Sequence, residues 1–256
     1  MRGLKNKTAI ITGAAAARSI GRATAKRFAE EGVNLVLNDI NCENLKDVIK
    51  EINNIGGKAV AVVGDISEST TSDELVKAAI ESFGTYDILV NNAGITESIS
   101  LDELTEDKWD RVIKINLKSV YLLSRAVLKH MKDKGHGRII NVSSIAGRGG
   151  GSFGSSHYAA SKAGIIGFTR AVAKEVAPFG ITVNAIAPAS IDTNILSNKP
   201  SKDGKRPEEV MAGRISRTPL GRLASADEVA SVLTFLASDD SSFMTGVVLD
   251  INGGVF

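Results

Sequence analysis

The feature that most constrains this chain is the rhythm of its apolar residues. Short β-branched runs alternate with longer helical stretches from one end to the other. The strand candidates are Thr8 to Thr12, Asn34 to Asp39, Ala59 to Val63, Ile88 to Asn91, Arg138 to Val142, Thr182 to Ile186 and Val247 to Asp250. Between them lie helix-length segments, Gly21 to Glu31, Glu43 to Ile55, Ser72 to Phe83, Asp107 to Lys134, Tyr158 to Ala177 and Ala226 to Ser238. The strands are apolar without strict alternation, so both of their faces are buried, as in a parallel sheet covered by helices. Right-handed crossovers then wind the chain into a doubly wound α/β sandwich, seven parallel strands with helices on both faces. No repeat, low-complexity tract or linker breaks the pattern, and residues 1–256 are expected to form a single domain.

Composition excludes several classes. At 43% apolar and 23% charged residues, the chain is too apolar for disorder and long enough for a full core. Its 31 Lys and Arg against 29 Asp and Glu leave a net charge of +2, too balanced for a dedicated nucleic-acid binder. Cys42 is the sole cysteine, so no internal disulfide exists, and the three histidines have no zinc-site spacing, so no metal is expected. Met1 to Lys7 leads into an apolar run that Thr12-Gly13 ends at once, and no later run reaches the roughly 18 apolar residues of a membrane span. A soluble cytoplasmic protein with no membrane partner is expected.

Two segments break the rhythm. Gly147 to Gly154 is a glycine-rich loop after the fifth strand, and Ser197 to Thr218 reads as a long, partly helical excursion, a substrate lid. Both follow strand ends on the side where such folds bind ligands.

Two constellations carry chemistry. The first strand runs into Thr12-Gly13-Ala14-Ala15-Ala16-Ala17-Arg18-Ser19-Ile20-Gly21 and then a helix. Small residues there let the backbone approach a pyrophosphate, which the free N–H groups of a helix N-terminus then hold. The second strand ends in Asn38-Asp39, and an acid at that distance accepts the ribose hydroxyls of an adenosine. The second constellation is Tyr158-Ala159-Ala160-Ser161-Lys162, in which phenol and ammonium share one helix face. A phenol is a poor base at neutral pH, and a neighbouring cation favours its phenolate. Upstream, Asn141-Val142-Ser143-Ser144 closes the fifth strand and places hydroxyls at its carboxyl end.

In these motifs the chain resembles the short-chain dehydrogenase/reductase family. The resemblance extends over essentially the whole chain through Asp65-Ile66, Asn91-Asn92-Ala93-Gly94, Asn116, Asn184 to Pro188, Gly221-Arg222-Leu223 and Asn252-Gly253-Gly254. It implies a Rossmann-type domain in which Tyr158 is the acid/base and Lys162 lowers its pKa and binds the nicotinamide ribose. Ser144 would hydrogen-bond the reacting oxygen, and Asn116 would help hold a water relaying protons from Lys162. Asp65 and Ile66 would contact the adenine and Asn92 the adjoining ribose. Gly13, Arg18, Ser19, Ile20, Gly21, Asp39, Ala93, Gly94 and Pro188 would complete the cofactor site, with Ile191 and Thr193 on the carboxamide. Ser143 is expected to be a structural hydroxyl. Relatives form homotetramers by pairing their two long helices, here Asp107 to Lys134 and Tyr158 to Ala177.

The chain also departs from the family. Its nucleotide loop is two residues longer than usual, with Ser19 in place of the middle glycine, a spacing similar to that of enoyl-acyl-carrier-protein reductases. Those enzymes separate tyrosine and lysine by seven, whereas here the gap is four. The family's Pro-Gly is Pro188-Ala189, and Ser144 and Tyr158 stand 14 residues apart, at the long end of the range. The expected function is NAD-dependent interconversion of a secondary alcohol and a ketone, small molecules both. Asp39 disfavours the 2′-phosphate of NADP, while Arg18 pulls the other way with its direction open between the pyrophosphate, Asp39 and water. The alternative is an NADPH-dependent 3-oxoacyl-acyl-carrier-protein reductase. For that reading Arg138 matches one docking arginine of the family, and the other falls at Phe179, where the charge is missing. A nucleotide-sensing regulator would be expected to lack the tyrosine or the lysine.

Overall fold

The computed structural model describes residues 1–193 and 207–256. Seven strands, β1 (Thr8–Thr12), β2 (Asn34–Asp39), β3 (Ala59–Val63), β4 (Ile88–Asn91), β5 (Gly137–Val142), β6 (Ile181–Pro188) and β7 (Val248–Ile251), form one sheet. They run in the order β3-β2-β1-β4-β5-β6-β7, every pair parallel. This is the expected doubly wound fold.

Alternate residues of the central strands face opposite layers, as the two-residue period requires. Ala9, Ile11, Leu35 and Leu37 pack with Phe28 of α1 (Ile20–Glu30), Leu45 and Val48 of α2 (Cys42–Asn54), and residues of a helix nearer the C-terminus. Ile10, Val36, Leu89 and Ile139 face the other way, onto Leu75 of α3 (Ser69–Phe83) and a second pair of helices described next. Apolar side chains on both faces explain why the strands read as unbroken hydrophobic runs.

The long helix expected over Asp107 to Lys134 is not continuous. α4 (Glu106–Ile113) passes through a π-helical turn, Lys114–Lys118, into α5 (Ser119–Lys134). Asn116, fully buried, sits in that turn, and its amide is tied to the backbone of Ile95 beyond β4. A π turn inserted into an α-helix is frequent at functional sites. The glycine-rich segment after β5 also differs from expectation: its first part is a short helix, α6 (Ala146–Gly149), anchored where Arg148 pairs with Asp250 and donates to the Val248 carbonyl. α7 (Ser156–Val176) follows.

Of the expected lid, residues 197–206 lie outside the described residues, among them Lys199, Lys202, Asp203, Lys205 and Arg206. From Pro207 the chain forms α8 (Pro207–Ile215) and then a turn in which Thr218 N–H donates to the Ile215 carbonyl. α9 (Ala226–Ala237) opens with a capping box in which Ser225 and Glu228 satisfy each other's backbone N–H groups. Among the described residues, no helix is long and apolar enough to cross a membrane and no cluster of side chains is arranged to hold a metal ion.

Candidate active site

Strand order reverses between β1 and β4, and in such sheets the ligand crevice opens there, at the carboxyl ends. Gly13, just past β1, has φ +65°, and a Cβ on it would stand 2.8 Å from the Ala93 Cα. At Gly21 a Cβ would lie 2.2 Å from the Gly13 carbonyl oxygen and 2.7 Å from the Asn92 amide nitrogen. Only glycine lets the nucleotide loop, the start of α1 and the turn after β4 close on one another. The Asn92 amide secures that closure, donating to the Thr12 and Gly13 carbonyls at 2.9 and 3.0 Å, and Thr12 Oγ1 accepts from the Asn92 and Ala93 N–H groups, both at 3.0 Å.

Ser19 is the N-cap of α1, its Oγ accepting from Arg22 N–H at 3.2 Å, so its hydroxyl hydrogen remains to be donated. Ile20 opens the helix, whose first turn carries no acidic residue to repel an anion. Asp39, at the end of β2, accepts from Ala15 N–H at 3.0 Å and Asn41 N–H at 3.1 Å. Its carboxylate therefore anchors the lengthened loop as well as facing the cleft beside it. Arg18 takes none of its three expected directions: it forms an ion pair with Asp192, beyond β6.

Asp65 is exposed and caps its own turn by accepting from Ser67 N–H at 2.9 Å, while Ile66 is buried. On the far side of the cleft Ile191 and Thr193 are buried, and Ile191 bridges to Ala224. Gly94 approaches both Asn116 and Lys162, a Cβ there falling 3.2 Å from Asn116 Oδ1 and 3.4 Å from Lys162 Nζ. The residues expected to line a dinucleotide site thus gather in the loops at the carboxyl ends of the strands, and the small-residue cradle, the acid-free first turn of α1 and the acid at the end of β2 fit such a group.

The chemical residues converge at the ends of β5 and α7. Ser144 follows β5, its Oγ accepting from Ala146 N–H at 3.2 Å and reaching the Pro188 carbonyl at 3.5 Å, and its side chain hydrogen-bonds Tyr158. Lys162 is buried, donating to the Val142 carbonyl at 2.8 Å, with Nζ 5.7 Å from the Tyr158 ring centroid. Burial pushes the Tyr158 phenol above its ordinary value, and the Ser144 hydrogen bond works against that rise. Lys162 is not among the groups that lower it. Burial instead brings the lysine itself down to about 8.

Two serines support these residues: Ser143, expected as a structural hydroxyl, and Ser161, which sequence reasoning passed over. Ser143 Oγ donates to the Lys162 carbonyl at 2.8 Å, pinning α7 to β5 beside the reacting groups. Ser161 Oγ donates to the Tyr158 carbonyl at 2.7 Å and accepts from the Asn116 amide at 3.1 Å. Asn116 spends its other contacts on Ile95, donating to the carbonyl at 2.9 Å and accepting from the N–H at 2.8 Å. Its side chain thereby joins the loop after β4 to α7. A serine next to a lysine carries no signal that distinguishes a tie from a surface hydroxyl.

Arg138 is not where a docking arginine belongs. It sits at the amino end of β5, opposite the cleft, with its side chain 6% exposed and 3.5 Å from Asp239. Burial lowers its pKa, and no protein surface can reach it.

Fold and relatives define an oxidoreductase of the short-chain dehydrogenase/reductase family, to which this chain belongs. Residues 13–256 match the family model described as enoyl-(acyl carrier protein) reductase. The chain is 42% identical over 252 residues to a hydroxy(phenyl)methylsuccinyl-CoA dehydrogenase subunit, BbsD, of Thauera aromatica, covering 98% of this chain and 97% of that one. It is also 42% identical to the 3-oxoacyl-acyl-carrier-protein reductase FabG of Thermotoga maritima, covering 98% of both. Among solved structures it is similar to levodione reductase, with a TM-score of 0.93 at 35% identity over 98% of this chain and 97% of that one.

Proposed function

We propose that the protein interconverts a secondary alcohol and a ketone with NAD(H) as the redox partner. The observation that carries this reading is the convergence of Ser144, Tyr158 and Lys162 at the ends of β5 and α7, beside a cleft whose acid is Asp39. The nicotinamide supplies or accepts the hydride. Ser144 holds the substrate oxygen, and Tyr158 gives that oxygen its proton as a carbonyl is reduced or takes it as an alcohol is oxidised. Desolvation keeps the phenol protonated through the neutral range, which suits it to donate. Lys162, charged at neutral pH and set in the same pocket, favours the phenolate once the proton has left.

The enoyl-reductase description of the family model names a different bond. Against that chemistry stands the four-residue gap from Tyr158 to Lys162 on one face of α7. FabG-like relatives favour a second reading, a carrier-protein reductase using NADPH. Carrier proteins are acidic and need cations at the entrance. Here Arg138 is buried, and Phe179, 42% exposed, is itself uncharged, with Lys132 4.5 Å above its ring. Soluble 3-hydroxyacyl thioesters therefore remain as substrates ahead of the carrier-bound form. Exposed Phe153, on the segment between α6 and α7, supplies an apolar rim beside Ser98, which donates to its carbonyl at 3.2 Å.

A screen for NAD⁺ reduction with polyols, hydroxy acids, hydroxysteroids and 3-hydroxyacyl thioesters tests the reading. Turnover on none of them, with either NAD⁺ or NADP⁺, would leave the nucleotide-sensing regulator. Reductive kcat/KM should fall as pH rises through about 8, because Lys162 loses its charge there while Tyr158 keeps its proton. A pH profile with Lys162→Arg alongside checks this: the arginine stays charged, so its falling limb should move upward, whereas a wild-type profile flat across that interval contradicts it.

For assembly, we propose a homotetramer built on α4–α5 and α7. Trp109 of α4 and Tyr121 of α5, 37% and 45% exposed, would be available to such a contact. Light scattering is expected to show four chains per particle, and a monomer at micromolar concentration would sink the proposal. In keeping with its composition, we place the protein in the cytoplasm as one domain.

A further inference from the structure

The Arg18–Asp192 pair has a geometry that a surface ion pair does not need. Arg18 follows β1 and Asp192 follows β6, and the sheet places β4 and β5 between those strands. Strands β1 and β6 lie three spacings, about 14 Å, apart, and Arg18 and Asp192 stand six and four residues past their ends, so the two loops lean toward each other to bring the pair into contact. The pair thereby joins loops that rise on either side of β4 and β5, just past whose carboxyl ends stand Ala93, Gly94 and Ser144. Both ends are fixed for the task. Arg18 has φ +51°, a left-handed conformation that costs a non-glycine residue energy. Asp192 is held by its own N–H, which donates to the Ala224 carbonyl at 2.9 Å, next to the Ile191–Ala224 bridge. The two added residues of the nucleotide loop supply the reach.

We propose that Asp192 is a positioning residue that holds Arg18 as a clasp across the bound dinucleotide, over its pyrophosphate, so that the pair sets how long the cofactor stays. This rests on the reading of the cleft as a dinucleotide site. Opening must precede release, and release limits turnover in many enzymes that enclose their ligands. The side chains are 55% and 51% exposed, so solvent and salt weaken the pair without abolishing it.

The test is NADH dissociation, followed by fluorescence in stopped-flow displacement, for the wild type, Arg18→Met, Asp192→Asn and the double variant. Each single change is expected to speed release roughly 2- to 5-fold, the range open to an exposed pair. The double variant should release no faster than the faster single one, because the two residues act as a unit. Added salt should raise the wild-type rate toward that of the variants and leave theirs unchanged, a response that loss of folding stability would not produce. Release from Asp192→Asn at the wild-type rate, or effects that multiply in the double variant, would overturn the clasp while leaving the dinucleotide site intact. Failure of the wild type to bind NADH or NADPH at all would overturn both.

Discussion

Replacing Tyr158 with phenylalanine is expected to lower turnover by at least ~10²-fold, the lower end of the effect of losing a general acid or base. The change removes one hydroxyl and keeps the ring, so the packing of α7 and the binding of cofactor should stay nearly as they are. Ser144 then keeps its contacts to Ala146 and Pro188, while Lys162 keeps its hydrogen bond to Val142. What disappears is the proton that must reach the substrate oxygen. Steady-state kinetics, with cofactor binding and a thermal melt alongside, separate this from a folding defect. A variant that keeps half of the wild-type kcat would show that the proton comes from elsewhere.

The second large effect concerns the cofactor. Asp39 is expected to favour NAD(H) over NADP(H) by about 3 kcal/mol, or roughly 100-fold in kcat/KM. A 2′-phosphate placed at its carboxylate would meet like charge in a partly desolvated site, worth several kcal/mol. Arg18 would offset at most ~1 kcal/mol of this as an exposed contact, and its pairing with Asp192 draws it away from the adenosine end. Asp39→Ala should therefore bring the two cofactors to within roughly tenfold of each other. It should also weaken NADH itself, because the same carboxylate holds Ala15 N–H in the nucleotide loop. Measuring kcat/KM for both cofactors on one substrate decides the matter: equal values, or an NADPH preference in the wild type, would contradict it.

Much of this architecture is legible in the sequence because burial leaves a mark on composition. β1, wholly buried, and β2, buried between its two end residues, are short apolar runs whose limits agree with the structure to the residue. α3 starts three residues earlier than its pattern suggests, since Ser69-Thr70-Thr71 reads as a loop although Thr71 packs inward. The π turn at Asn116 was not legible: an inserted π turn changes hydrogen bonding without changing helix propensity, and the backbone that Asn116 holds, at Ile95, belongs to another element. Nor was the burial of Arg138, because a charged residue opening a strand looks the same whether it meets water or Asp239. Arg18 illustrates the limit most clearly, its partner lying 174 residues further along the chain.

The central claim is that hydride passes between the nicotinamide and a carbinol carbon. Supplying NADH deuterated at nicotinamide C4, with a 3-oxoacyl thioester and an enoyl thioester offered together, tests it by mass spectrometry and NMR of the products. Deuterium is expected on the newly formed carbinol carbon, with the enoyl thioester unchanged. Deuterium on a saturated β-carbon, with the ketone untouched, would contradict it.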